Sequence, residues 1–583
     1  MALHYDSDYA NLAAALTAAA GRILVISNTH SITTTHTVPA GTHLLGDGGS
    51  ITMTQPDLNA LEVGGDNVTI EGVEIIGPSS PDTPSAVTVS NGIYAEARDN
   101  LTVTGCLIRR FDCCGIFIRG CRNATLRDNR LHSNRYGLSD SSDICLYSSD
   151  PEGGRIVIDG NFCLSNNSQG IYVSALGHDN DISVANNICV TTSDGEAELT
   201  EDLLRRHGIS VDYGTVSDSG RVSVVGNVCS NTLCTGIYSH ALVATSIVAN
   251  VCEKNGQTEA GGPQAELCGG IVLAGSAEGT ILALNQIYDC RAPGEDFAGG
   301  ITLNMEDASL PVIVTNNTIN GSLGHGIVLK RHASRCTVSG NEIRNVGWCD
   351  ILEWPDSDAT YGGHYIEDNQ CVRANGDYPS IFILAAISEV TTYVRRNKLL
   401  GFSQDKPVLA EPGPDPRYPT PWNSWVGDLN CGVMVLGLNS KGAVVEDNLI
   451  RNFHEGIVNY GYISGRYELR RFDDNDLEDL TYGMVICATS TAPGMLVSGN
   501  QWTNVANRFG FGWTLLGYTV GYIGNRLDAN WEVYDLNAAP TIGTWIVGDR
   551  VGFSAPTAGG NIGAVCTGAG NPGTWKTYGA IAA

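Results

Sequence analysis

Gly208-Ile209-Ser210-Val211-Asp212, Gly226-Asn227-Val228-Cys229, Gly236-Ile237-Tyr238-Ser239-His240 and Ala249-Asn250-Val251-Cys252 together decide the fold. After each Gly-Ile the side chains alternate, which is the period of a half-buried strand. After each Asn comes one variable residue and then a small hydrophobe. Both marks recur on either side of this stretch. The Asn returns at 129, 161, 187, 285, 317, 341, 369, 397, 448, 475, 500 and 525, at intervals of 23 to 51 residues. Gly-Ile, or Gly followed by another hydrophobe, opens at 115, 170, 270, 300, 326, 432, 456 and 483. A repeat of this length signals a solenoid, in which each coil touches only its neighbours. Each coil reads as three short strands: one opened by Gly-Ile, one ending at Asn, and one carrying Cys, Ile or Leu.

Asn suits this position because it tolerates the left-handed backbone of a tight turn, and its amide both donates and accepts. Stacked at the strand spacing of roughly 4.8 Å, these amides are expected to hydrogen-bond along the solenoid as a ladder. Cys163, Cys189, Cys229, Cys252 and Cys371 share their column with Leu131, Ile287, Ile319 and Ile343. They stand in for aliphatics, so the 18 cysteines are expected to be mostly reduced core residues. No clustered C-x-x-C pairs suggest zinc.

Composition agrees with strands joined by tight turns. Gly numbers 70, while charged residues make up 16% and aromatics 7%. The formal charge of −28 excludes non-specific attraction to nucleic acid, which needs a basic surface. No signal-peptide pattern and no membrane-spanning apolar run are visible, so no membrane insertion is expected.

A solenoid needs caps. Residues 8–21 read as a short helix with an Asp/Asn start, an Ala/Leu body and a Gly stop. Arg22-Ile23-Leu24-Val25-Ile26 and Val38-Pro39-Ala40-Gly41-Thr42 follow. The expected organisation is an N-terminal cap at 1–50, coils at 51–530 and a small β module at 531–583. In that module Trp545 and Trp575 are either its core or a sugar-stacking pair.

On the Asn and Gly-Ile repeats the chain resembles the pectate-lyase-like right-handed parallel β-helix superfamily, which includes bacteriophage tailspikes and polysaccharide depolymerases. The helix–strand–V-P-A-G-T order is similar to the N-terminal cap of tailspike β-helices. The resemblance implies an all-β, single-stranded right-handed parallel β-helix of about 14–16 coils with three strands each. It also implies a polysaccharide partner, a homotrimer, and an extracellular or virion-associated location. Because the superfamily hosts lyases, hydrolases, epimerases and adhesins, it does not fix the chemistry.

The longest insertions, 190–207, 253–269 and 400–431, all fall between an Asn and the next Gly-Ile strand, so they emerge beside that strand's face. With Ile pointing inward, the second and fourth residues after Gly face solvent. These outward pairs are Tyr94 and Glu96, Phe117 and Arg119, Tyr172 and Ser174, Ser210 and Asp212, Tyr238 and His240, Val272 and Ala274, Thr302 and Asn304, and Val328 and Lys330. Asp212 and His240 sit on adjacent coils as an acid/base pair. Tyr94, Phe117, Tyr172 and Tyr238 form an aromatic column suited to sugar stacking. The candidate catalytic residues are Asp212, His240, Glu306 and Lys330. The candidate substrate contacts are Tyr172, Tyr238, Asn304, His332 and Arg119. Neither a metal nor a cofactor is expected. The coil at Gly137 is irregular, which leaves the direction of Asp140 and Asp143 open.

Two reaction classes fit. Glycoside hydrolysis needs two carboxyl groups, about 5.5 Å apart for retention and up to about 9.5 Å for inversion. Asp212 with Glu306 or Asp307, about three coils apart, is too far unless loops bend inward; adjacent-coil partners or the loop acids Glu196, Glu198, Glu201 and Asp202 are the other source of a carboxyl group. β-Elimination needs a uronate, a base and a neutralising cation. The expectation is a depolymerase of bacterial capsular or extracellular polysaccharide, with hydrolysis preferred. The alternatives are a polysaccharide lyase or epimerase, and a non-catalytic adhesin.

Overall fold

The computed structural model describes residues 3–582 apart from 79–89, 133, 135–141, 149–153, 166–168, 176–179, 192–206, 214–220, 241–244, 257–267, 276–278, 291–298, 306–310, 332, 356–361, 374–377, 386–390, 403–429, 438–442, 462–469, 489–494, 512–524, 528–529, 537, 542–544, 546, 554–555 and 571. Most of the three long insertions therefore lies outside the described residues. The chain divides into two compact units, 1–313 with 317–324, and 314–316 with 325–583.

The coils of each unit are built from the three strand ladders that the repeat demands, all parallel. In the first unit the Ile of each Gly-Ile strand stacks on the next: Ile93, Ile116, Ile144, Ile171, Ile209, Ile237, Ile271 and Ile301. The strands that end before Asn stack Val103, Leu126, Ile158, Val184, Val224, Ile247 and Leu282. The third ladder stacks Leu131, Cys163, Cys189, Cys229, Cys252, Ile287 and Ile319. The residues of these three columns are buried and form a continuous apolar core. The second unit repeats the plan with Ile327, Ile351, Ile381, Val433, Ile457 and Met484. The side chains of 17 of the 18 cysteines, all but Cys487, are described and unbridged, and these are buried except the half-buried Cys113.

The Asn ladder forms as expected, with one correction. In the first unit the Nδ2 of Asn129, Asn161, Asn187, Asn227, Asn250 and Asn285 each donates to the Oδ1 of the next Asn at 2.9 to 3.0 Å. The same amide also donates to a strand carbonyl, as from Asn227 to Val184 at 2.9 Å. In the second unit the ladder runs from Asn341 to Asn500. The left-handed residue, however, is the one before the ladder Asn. Asp128, Asn186, Ala249, Asp368 and Asp447 have φ between 55° and 58°, and Gly160 and Gly226 have φ of 69° and 68°. This explains why Gly, Asp or Asn so often precedes the ladder residue. Asn525 does not continue the series. It opens an antiparallel strand, Asn525–Leu527, of a separate five-stranded sheet that ends at Ala580. In that sheet Trp545 is fully buried with Val551, Ala564 and Cys566, and it packs edge-on against Trp575. Trp545 is therefore core and does not offer its face to a sugar.

Gly before Ile has a steric reason. A Cβ on Gly170 or Gly208 would lie 2.9 Å from the Cβ and Sγ of Cys189 or Cys229. The irregular coil resolves as the strand Ser142–Ser148. There Asp143 takes the Gly place and is fully buried, accepting a hydrogen bond from Asn134 Nδ2 at 2.8 Å.

The N-terminal helix spans Leu12–Ala18. Asn11 caps it by accepting from the Ala14 N–H at 2.9 Å, and Leu12, Ala15 and Leu16 turn inward. Gly41 takes a left-handed turn with φ 67°.

Candidate functional site

On the first unit the outer face of the Gly-Ile sheet carries two columns set by strand register. Two residues after Gly stand Tyr94, Phe117, Tyr172, Ser210, Tyr238, Val272 and Thr302, with Cys145 between Phe117 and Tyr172. Four residues after Gly stand Glu96, Arg119, Tyr147, Ser174, Asp212, His240, Ala274 and Asn304. Asp212 and His240 are direct cross-strand partners. His240 Nδ1 lies 3.4 Å from Asp212 Oδ1, with the side chains 29% and 33% exposed. The hydroxyl of Tyr172 donates to Asp212 Oδ2, also at 3.4 Å. Asp212 is thus held between a phenol and an imidazole, at distances long enough to tighten on substrate.

Register places the aromatic column, but the rings are used differently from the expectation. Tyr94 stacks on Phe117 with centroids 5.5 Å apart and planes 14° apart. Phe117 packs on Tyr147, and Tyr147 packs edge-on against Tyr172, each pair 5.6 Å apart. These separations are close to one strand spacing, so Tyr94 and Phe117 turn their faces to each other along the ladder. At the upstream end the Tyr94 hydroxyl donates to Glu96 Oε2 at 2.6 Å. Burial, together with that carboxylate, pushes the Tyr94 hydroxyl up to about 12. Arg119, well exposed, stands 3.9 Å from Glu96 and three coils from Asp212.

The outward residues are not all solvated. Tyr172, Val272, Thr302 and Asn304 are at most 5% exposed, which corrects the reading that outward means exposed. A pleat fixes the side of the sheet a residue occupies, and not whether that side is open. Tyr172 packs with Cys114 and Cys145. Tyr238 lies face to face with His207, with centroids 4.7 Å apart and planes 10° apart.

His207 is the residue that the sequence pattern missed. It directly precedes Gly208 and is 2% exposed. Counting outward positions only after the Gly left out the residue before it. Yet a Cβ on the Gly would turn inward against the Cys column, which leaves the preceding side chain on the outer face. Cys114, before Gly115, shows the same placement.

Of the other candidates, Lys330 belongs to the second unit, where it is 6% exposed and pairs in register with Trp354. Glu306, Asp307, His332, Asp140 and the loop acids Glu196, Glu198, Glu201 and Asp202 lie outside the described residues. Among the described residues no group of three or more His, Cys, Asp and Glu side chains converges as metal ligands. None of their helices is long and apolar enough to cross a membrane.

The second unit holds another carboxylate–imidazole pair, but in its interior. Glu353 stacks in register between Leu329 and Ile383, both buried. Its Oε1 is 4.0 Å from His364 Nε2, and it accepts from Thr392 Oγ1 at 3.1 Å. Burial pushes the Glu353 carboxyl up to about 7 and the His364 imidazole down to about 3. Nearby, burial also raises Asp350 to about 6, although Arg373 and a 2.6 Å hydrogen bond from Ser380 Oγ oppose this.

Residues 41–287 match the family described as the right handed beta helix region, and the protein is a right-handed parallel β-helix. No curated protein matches the chain in sequence. Among solved structures it is similar to the Dettilon tailspike protein at 15% identity, covering 68% of this chain and 66% of that one, with a TM-score of 0.37. The chain thus spans just under two thirds of that tailspike. A mutant tailspike of E. coli bacteriophage HK620 in complex with a hexasaccharide is 12% identical, with 85% and 75% covered and a TM-score of 0.39. The A-module of Azotobacter vinelandii mannuronan C-5 epimerase AlgE6 is 12% identical, with 86% and 99% covered and a TM-score of 0.32. Identities and scores this low leave the activity to be argued from the site.

Proposed function

We propose that the first unit binds an extracellular or capsular polysaccharide along its Gly-Ile sheet and cleaves it by general acid–base chemistry at Asp212 and His240. The observation that carries this reading is the Asp212 carboxylate bridging Tyr172 and His240 on a half-exposed sheet face. A carboxylate on Nδ1 favours the tautomer in which Nε2 is the basic nitrogen. A phenol beside the same carboxylate is a proton source for a leaving sugar oxygen. A base and an acid of these types are two of the three groups that β-elimination from a uronate needs, the third being the neutralising cation, so this reading now stands ahead of hydrolysis. Hydrolysis needs a second carboxyl group, and Glu306 is the candidate for it. Arg119, Tyr238 and Asn304 are assigned to substrate contact.

The test is product analysis on a panel of bacterial capsular polysaccharides. Growth of the ultraviolet band of an unsaturated uronate supports elimination, and reducing ends without that band move the assignment to hydrolysis. Binding without either product would replace the enzyme with an adhesin. We further propose a homotrimer, extracellular or virion-associated. Light scattering that finds a 61.7 kDa monomer at micromolar concentration would overturn the trimer.

A further inference from the structure

The outer column that carries Asp212 and His240 continues to Ala274 and then Asn304. Asn304 is 5% exposed, and its Oδ1 is buried without a hydrogen-bond partner among the described residues. Buried amide oxygens are rarely left unpaired, and such exceptions mark strain or a missing partner. Its ladder partner on the preceding coil does not supply one. Ala274 has no polar side-chain atom, and on the same strand Thr302 Oγ1 is engaged with the Gly299 N–H at 3.1 Å. Between His240 and Asn304 the column holds only the methyl group of Ala274. The two polar side chains therefore stand two strand spacings apart, on the order of 10 Å, on one face.

We infer that Asn304 is a specificity residue. Its Oδ1 accepts a hydrogen bond from a hydroxyl or amide N–H of the bound polysaccharide, one or two sugar units from the bond that Asp212 and His240 attack. The inference rests on the function proposed above and extends it. The substrate lies along the stacking direction of the coils, and its repeat presents a donor at the Asn304 subsite. A glycan with an ether, deoxy or O-acetyl group at that place would leave the buried oxygen unpaired and be rejected. Sites that hydrogen-bond a donor discriminate strongly against analogues lacking it.

An array of bacterial capsule and O-antigen oligosaccharides is the probe, read with Asp212→Asn protein so that bound glycan is not consumed. The second substitution is Asn304→Leu, which keeps the shape and removes the acceptor, or Asn304→Asp, which keeps an acceptor. The expected result is binding by Asp212→Asn, a loss of about tenfold or more with added Asn304→Leu, and retention with added Asn304→Asp. The melting temperature of Asn304→Leu alone is expected not to fall, because an unpaired buried oxygen is replaced by an apolar group. Unchanged binding with Asn304→Leu overturns the inference and leaves the proposed function standing. A lowered melting temperature with Asn304→Leu also overturns it, because the residue is then structural. If Asp212→Asn binds no glycan, the proposed function falls and the inference falls with it.

Discussion

Among the carboxylate–imidazole pairs of the molecule, two stand in opposite settings. Asp212 and His240 face outward on the first unit, about one third exposed and 3.4 Å apart. Glu353 and His364 face inward on the second, at most 2% exposed and 4.0 Å apart. In the interior, desolvation disfavours both charged forms, so the acid is pushed up to about 7 and the base down to about 3. Near neutral pH the carboxyl is then only partly ionised and the imidazole neutral, and both side chains are closed to water. On the outer face the pair is open to water. A carboxylate beside an imidazole is thus a reactive device or a buried curiosity according to which side of the pleat it occupies, and one residue of register decides that.

The largest effect is expected where the outer pair is broken. Asp212→Asn keeps the shape and removes the charge. If the pair transfers protons, turnover should fall by about 10²-fold or more, the usual contribution of a positioned acid or base. His240→Ala should behave in the same way. The melting temperature of both variants should change little, because partly exposed residues outside the core contribute little stability. Unchanged turnover in both variants would remove the assignment. A large loss of stability would contradict the outward register.

The inner pair gives a smaller effect, and a different one. The folded pKa of Glu353 is raised above its unfolded value of 4.5 to about 7. The folded state therefore holds the proton more tightly, and stability falls as pH rises from about 4.5 to 7. Glu353→Gln removes this penalty, which is about 3 kcal/mol when fully developed. Denaturant melts should show the variant more stable than the wild type at pH 8 and equal to it at pH 4. His364, lowered to about 3 from 6.5, works in the other direction, costing stability as pH falls below 6.5. His364 does not disturb the comparison at pH 8, where it is neutral in both states. A variant no more stable at pH 8 would mean that the carboxyl is not desolvated.

What was legible follows from what the repeat constrains. The Asn ladder, the three strands and the Cys column were readable because each recurs at one place in every coil and a side chain there has one job. The adjacency of Asp212 and His240 followed from the Gly-Ile register alone. His207 and the Asp143 coil were not readable, because a kink at the Gly position changes which residues face outward and period-2 counting assumes no kink. Nor was the burial of Tyr172 and Asn304. That burial depends on what packs over the sheet, and loops between the repeats obey no period.

Asp6, in the N-terminal cap, separates burial from hydrogen bonding as causes of such shifts. Its side chain is as closed to water as that of Glu353, but it lies less deep in the protein, and its pKa moves the other way. Burial pushes it up, but it accepts from Ser27 Oγ and His30 Nε2 at 2.7 Å, from the backbone N–H groups of Ser27 and Asn28, and from Asn28 Nδ2. Those donors hold it down to about 2. Glu353, which accepts from Thr392 alone among the donors named above, has no such compensation. Because the folded pKa of Asp6 lies below its unfolded 3.8, its contribution is complete above about pH 4 and is lost as pH falls towards 2. Asp6→Asn should cost about 2 kcal/mol at neutral pH, which is the smallest of these effects. Amide exchange in the strand Ile23–Ile26 should quicken in the variant at pH 6, since that strand leads directly into the donors. The wild type should approach the variant as the pH is lowered to 2. Equal exchange in the two proteins at pH 6 would show that the donors do not hold the cap. Burial would then have to explain both carboxylates, and it predicts the wrong sign for Asp6.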